Sequence, residues 1–148
     1  MDDRLDEFLK LSVALTGFGH LQLMGTGVGA EYLKTVEDIV PDVSVARLFD
    51  AARKLSPCDE QAVESLVTDR TLGPIVKNII IMWYCGTWNP LPKDWCEVHG
   101  RSSKDVGHVV SSAAYLAGLQ WATVAAHPSG GLPGGFASWA FPPEEVQP

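Results

Sequence analysis

One segment of the chain is apolar on nearly every side. It spans residues 73–85, opens with Gly73-Pro74 and continues with Ile75, Val76, Ile79, Ile80, Met82 and Trp83. Proline is favoured in the first turn of a helix, and a helix with little polar face is stable only when other elements surround it. The segment therefore predicts a helix in the middle of a bundle.

Other segments have the apolar spacing of amphipathic helices, and strand-like alternation is weak throughout. Ser56 is expected to cap one of them, with Pro57 as its first residue. The predicted helices cover residues 3–16, 28–40, 45–55, 56–68, 73–85 and 111–125. We therefore expect an all-α fold, a small bundle of about six helices with two aromatic loop regions. The helical bundle domain is predicted to cover residues 1–126, and an extended C-terminal tail is predicted to cover residues 127–148.

The tail combines large apolar side chains with a backbone that cannot form regular structure. Its many prolines and glycines exclude a helix or a strand, yet it carries Phe136, Trp139 and Phe141. Leaving each ring in water would forfeit about 1.5–3 kcal/mol. The tail is therefore expected to lie on a surface, either that of its own domain or that of a partner protein.

A second irregular region runs from Cys85 to His108. Glycines and prolines divide it, and Trp88 and Trp95 lie between them. Loops of this length in compact domains usually have a function, so we predict a long ordered loop that extends the partner contact. The candidate partner-binding residues are Trp88, Trp95, Phe136, Trp139 and Phe141.

Composition narrows the classes of partner. The chain has 148 residues and a formal net charge of −7, with lysines and arginines scattered along it, so a nucleic acid backbone would be repelled. No apolar stretch is long and uninterrupted enough to span a bilayer. The sequence as it stands shows no export signal, which predicts a cytoplasmic location, or a periplasmic one if a signal was removed or the partner carries one.

Several motifs have a functional and a structural interpretation. The run Gly25-Thr26-Gly27-Val28-Gly29 lacks the strand and the lysine of a phosphate-binding loop, so a close packing point or a loop before a helix is expected. The tryptophans could form a sugar-stacking platform, but we expect them to be core and interface anchors. No serine or histidine has the neighbouring residues that are typical of a catalytic nucleophile or base. No catalytic residue is therefore assigned.

Four residues define an alternative. Cys85, Cys96, His99 and His108 could supply a zinc site, and the chain would then be a small stand-alone metalloprotein or enzyme. A Cys85–Cys96 disulfide is also left open, although three cysteines argue against an extracellular disulfide framework. A third possibility is a stand-alone helical domain whose tail folds back on its own core.

Four stretches, in the same order along the chain, resemble one known family. They are Phe8-Leu9-Lys10-Leu11-Ser12 followed by Leu15-Thr16-Gly17, then Trp83-Tyr84-Cys85-Gly86, then Ala114-Tyr115 with Leu119 and Trp121, and finally Gly135-Phe136 with Trp139 and Pro142-Pro143. The family is the small subunit of membrane-associated, FAD-dependent sugar and polyol dehydrogenases. It includes the small chains of bacterial D-sorbitol dehydrogenase and of FAD-dependent glucose dehydrogenase.

The resemblance implies a helical, non-catalytic small subunit that binds and stabilises a large FAD-dependent oxidoreductase acting on a sugar, glycoside or polyol alcohol. It implies that FAD and the catalytic residues belong to the large subunit, that this chain holds no cofactor, and that a cytochrome is a candidate electron acceptor. Many members begin with a twin-arginine export signal, which is not visible here. Some have a cysteine where this chain reads His127-Pro128, so an intersubunit disulfide is not carried over.

Overall fold

Helix α6 (Gly73–Cys85) lies at the centre of the fold, as its composition predicts. In the computed structural model, which describes residues 2–56 and 58–124, the chain is mostly helical and contains one two-stranded sheet among those residues. The all-α prediction is confirmed. The remaining elements are α1 (Asp3–Thr16), α2 (His20–Gly25), α3 (Gly29–Ile39), α4 (Asp42–Arg53), α5 (Glu60–Thr68), β1 (Thr87–Trp88), α7 (Lys93–His99), β2 (His108–Val109), α8 (Ser112–Leu116) and α9 (Gln120–Val124).

The core forms where α6 meets the earlier helices. Helices α1 and α3 pack on it, and α4 packs in turn on α1 and α3. Tyr32 of α3 and Trp83 of α6 meet edge to face, with their ring centroids 4.9 Å apart. Phe8 and Phe49 are also fully enclosed. Aromatic burial of this kind makes a large contribution to stability, because each ring removes a large apolar area from water.

Two helices end where local sequence signals place them. Helix α1 begins after Asp2, whose side chain accepts a hydrogen bond from the Arg4 backbone, and ends at Gly17 in a left-handed conformation. Helix α6 ends in the same way at Gly86. The predicted apolar stripes of α3 and α4 are largely buried, so these two helices are also confirmed, with α4 running from 42 to 53.

The start of α5 differs from the prediction. The helix begins at Glu60, because Asp59 is its cap and accepts a hydrogen bond from the backbone nitrogen of Ala62. Cys58, just before that cap, has a φ of 63°, a left-handed conformation that is incompatible with a helix interior. The prediction that this helix starts with Ser56 as its cap is therefore wrong.

Short elements were not expected from the sequence. Helix α2 occupies a segment predicted as part of a connection, and the predicted loop between Cys85 and His108 contains α7 and the antiparallel pair formed by β1 and β2. The predicted last helix is broken into α8 and α9, since the backbone nitrogen of Leu119 donates to the carbonyl of Trp83 instead of continuing a helix. Each of these elements is too short to show a clear period.

The glycine-rich run before α3 has the structural role expected for it. A Cβ atom placed on Gly29 would lie 3.1 Å from the Leu9 side chain, so the absence of a side chain permits close packing of α3 on α1.

No helix among the described residues is long and apolar enough to cross a membrane. The predicted tail over 127–148, with Phe136, Trp139 and Phe141, lies outside the described residues.

We predict that Gly86→Ala destabilises the protein far more than Gly17→Ala. Both glycines have a positive φ, 69° and 76°, so both substitutions carry a backbone strain of about 1 kcal/mol. Only at Gly86 would the new Cβ meet other backbone, at 2.6 Å from the carbonyl of Ala114. Urea unfolding should show a loss of about 3 kcal/mol for Gly86→Ala. Equal losses in the two variants would contradict the close approach of α8 to α6.

Candidate partner-binding site

Trp88, a predicted partner contact, lies in the chain's own core. Its side chain is fully buried, and its indole Nε1 donates to Asp105 Oδ1 over 2.9 Å. The Asp105 carboxylate is 2% exposed and also accepts from the backbone nitrogen of Leu91, with 3.1 Å to each oxygen. This carboxylate therefore ties together the two sides of the segment between α6 and α8.

Trp95 is held in the same way. It is 5% exposed, its Nε1 donates to the carbonyl of Thr71 over 2.8 Å, and its ring lies 4.6 Å from that of His99. Asn78 of α6 fixes the same segment, since its side chain donates to the carbonyl of Asn89 and accepts from its backbone nitrogen. Because their side chains are enclosed, we assign Trp88 and Trp95 to the core and correct their interpretation as contact residues.

The four residues of the zinc alternative have separate surroundings. The thiol of Cys85 lies 3.8 Å from Gln120 Oε1, and that of Cys96 lies 3.7 Å from Asp105 Oδ2. His99 packs on Trp95, and His108 Nδ1 lies 2.7 Å from the carbonyl of Val106. Within residues 2–56 and 58–124, no three His, Cys, Asp or Glu side chains are placed to hold a metal ion. The cysteines are free, so the Cys85–Cys96 disulfide is not formed.

An open groove, absent from the sequence-based expectations, runs along one side of the domain. We call it the α1–α5 groove. Its volume is about 980 Å³ and its walls are mainly apolar. The residues that line it are Glu7, Lys10, Val13, Ala14, Gly17, His20, Ala52, Arg53, Leu55, Ser56, Cys58, Asp59, Glu60, Val63, Glu64 and Val67.

The groove is formed by single faces of two helices. Its first wall consists of residues 7, 10, 13 and 14 of α1, with Gly17 just past the end of that helix, and its second wall consists of residues 60, 63, 64 and 67 of α5. Spacings of three and four residues place each series on one side of its helix. Ala52 near the end of α4 and Leu55 just beyond that helix also line the groove. Ridges of side chains on two helices thus face one space that no described residue occupies.

The two edges of the groove differ in charge. On the α1 edge, Arg53 binds the Glu7 carboxylate at 2.9 and 3.1 Å, and Lys10 binds Asp6 at 2.6 Å. The hydrogen bond from Arg53 lowers the pKa of Glu7. On the α5 edge lie Asp59, Glu60 and Glu64, and no ion pair engages them in the described part of the chain. Asp59 also caps α5 through the Ala62 backbone nitrogen, but no described cation pairs with the negative charge of this edge.

The groove residues have no distinguishing signal in the sequence. The apolar positions of α5, Val63 and Val67, are visible as a spacing of four residues, but nothing in the sequence shows which helix they face. The burial of Asp105 has no sequence signal either, because a lone aspartate in a polar stretch resembles any solvated aspartate.

No family model, no curated protein and no solved structure matches the chain.

We predict that Asp105→Ala lowers the free energy of unfolding by about 3 kcal/mol, since it leaves the buried donors of Trp88 and Leu91 without an acceptor. Urea unfolding followed by tryptophan fluorescence measures this loss. The control Glu97→Ala removes an exposed carboxylate of α7 and should change stability by less than about 0.5 kcal/mol. A loss below about 1 kcal/mol for Asp105→Ala would contradict its role in holding the segment.

We also predict a large difference in reactivity between Cys58 and Cys96. Burial raises the pKa of the Cys96 thiol, and the nearby Asp105 carboxylate raises it further, whereas Cys58 is exposed. Since the thiolate is the nucleophile, iodoacetamide at pH 8 should modify Cys58 first and Cys96 slowly, with the Cys96 rate increasing as the pH rises. Mass spectrometry of tryptic peptides measures both rates. Equal rates at pH 8 would contradict the partial burial of Cys96.

Proposed function

We propose that this chain is a non-catalytic small subunit that binds and stabilises a large FAD-dependent oxidoreductase of the glucose–methanol–choline type. The observation that carries the proposal is the α1–α5 groove, an apolar surface between two helices that no residue of 2–56 or 58–124 fills. Apolar grooves of this kind are used by proteins to dock helical segments of partners. The four stretches that resemble the small-subunit family support the same class of partner.

The proposed role is physical support of the large subunit. The groove supplies one apolar surface, and the aromatic side chains of Phe136, Trp139 and Phe141 supply a second set of anchors in the sequence. Buried aromatic residues usually contribute most of the binding energy at protein interfaces. Binding shifts the folding equilibrium of the large subunit toward its native state, because the small subunit binds only that state.

In this proposal, the redox chemistry belongs to the partner. FAD and the catalytic residues lie in the large subunit, which oxidises the alcohol group of a sugar, glycoside or polyol, and a cytochrome is the candidate acceptor of the electrons. The small subunit contributes no reacting group. Its effect on activity comes from the amount of folded flavoprotein and from the positions of the segments that it contacts.

We predict that the large flavoprotein of this proposal accumulates in folded, FAD-loaded form only when it is co-expressed with this chain. The triple variant Phe136→Ala, Trp139→Ala and Phe141→Ala should lose co-purification, because these aromatic anchors are removed. The control variant Glu144→Ala with Glu145→Ala changes the same tail without removing an aromatic ring and should still co-purify. Circular dichroism checks that the helical content is unchanged. A fully active flavoprotein obtained without this chain would contradict the proposed function.

A further inference from the structure

The α1–α5 groove has the shape of a site for a helix. Both long walls are helical faces whose side chains recur every three or four residues. Such ridges fit the grooves between the side chains of a third helix. The two-residue strands β1 and β2 pair with each other and do not line the groove, so no described strand there offers a sheet edge to an extended peptide.

The charge of the groove selects the kind of helix. Apolar side chains such as Val13, Ala14, Val63 and Val67 line the floor and walls, while the α5 edge carries Asp59, Glu60 and Glu64. The cations of the opposite edge, Lys10 and Arg53, already have carboxylate partners. A helix with an apolar stripe and basic residues along one side matches both features, because its cations would face the uncompensated edge.

We propose that the α1–α5 groove binds an amphipathic helix of the large subunit, with lysine or arginine side chains of that helix facing Asp59, Glu60 and Glu64. The identity of the partner rests on the proposed function, whereas the chemistry of the bound helix rests on the groove itself. The orientation follows from charge: the basic side of the helix lies against α5, and its neutral or acidic side lies against α1.

The chain's own tail is a poor match for this site. Residues 125–148 contain Glu144 and Glu145 and neither lysine nor arginine, so their charge has the same sign as the α5 edge. Their composition, rich in proline and glycine, also differs from that of an amphipathic helix. The complementary occupant is therefore a segment of another polypeptide.

A peptide titration tests the chemistry of the groove with the full-length protein. The probe is a fluorescent synthetic helix of about 18 residues, five turns, with a leucine stripe and lysines along one side; the comparison peptide has glutamates in place of the lysines. Fluorescence anisotropy should show the basic peptide binding at least about tenfold more tightly than the acidic one. Equal affinities, or no binding of the basic peptide, would overturn the proposal.

Two groove variants and two control variants outside the groove locate the binding. Ala14→Trp fills the groove, and the double variant Glu60→Lys with Glu64→Lys reverses the charge of the α5 edge. Each variant should lower the affinity for the basic peptide at least about fivefold. The controls Ala46→Trp and Glu97→Lys place the same residue types at exposed positions outside the groove and should bind as the native protein does. Undiminished binding by both groove variants, with native circular dichroism, would overturn the proposal.

Cys58 reports on the groove in the complex, since it is exposed and lies in the groove wall. Its alkylation should be rapid in the free chain and at least about tenfold slower in the flavoprotein complex. A complex that forms normally while Cys58 reacts at the free rate would overturn the groove assignment and leave the proposed function standing. A Cys58 that is already protected in the free chain would also overturn it, because the tail or a second copy would then fill the groove.

Peptide binding without co-purification of a flavoprotein would separate the proposed function from the chemistry assigned to the groove. If no flavoprotein co-purifies with the native chain, but the basic peptide binds and the groove variants reduce that binding, the proposed function fails and the chemistry assigned to the groove is supported.

Discussion

The fold depends on the burial of helix α6. Ile75, Val76, Ile79, Met82 and Trp83 are at most 1% exposed, and α1, α3, α5, α8 and β1 all contact this helix. A helix without a polar face has no stable position at a surface, so the rest of the chain must be arranged around it. The later segments return to it through specific hydrogen bonds, from Asn78 to Asn89 and from Leu119 to the carbonyl of Trp83. The path of residues 86–119 is therefore set by α6.

The elements that the sequence predicts well are those with local signals. The ends of α1 are determined by the Asp2 cap and by Gly17, and those of α6 by Pro74 and Gly86, so both ranges can be read from neighbouring residues. The start of α5, the short helices α2 and α7, and the break before α9 depend on other factors. The break is made by a hydrogen bond between residues 119 and 83, which no local window contains.

The candidate site shows the same division. An aromatic side chain between glycines and prolines looks alike whether it packs inward or on a partner, and at Trp88 the deciding group is Asp105, 17 residues away. The groove has no local signal for a related reason. Each stripe is visible in its own helix, but only the packing of α5 on α6 and of α4 on α1 brings the two stripes to one space. A sequence shows which faces are apolar, whereas tertiary packing decides which of them are left uncovered.

The position of the groove explains how one small domain can be stable and still keep an open apolar surface. Helix α1 turns Phe8, Leu9 and Leu11 toward the core, while the groove is lined from a different side of the same helix by Val13 and Ala14. Among the described residues, the core packs without any occupant of the groove, so the groove walls are formed before a partner arrives. A preformed surface loses little conformational entropy on binding, so more of the contact energy is available to stabilise the partner. This property suits a subunit whose proposed role is to support another protein.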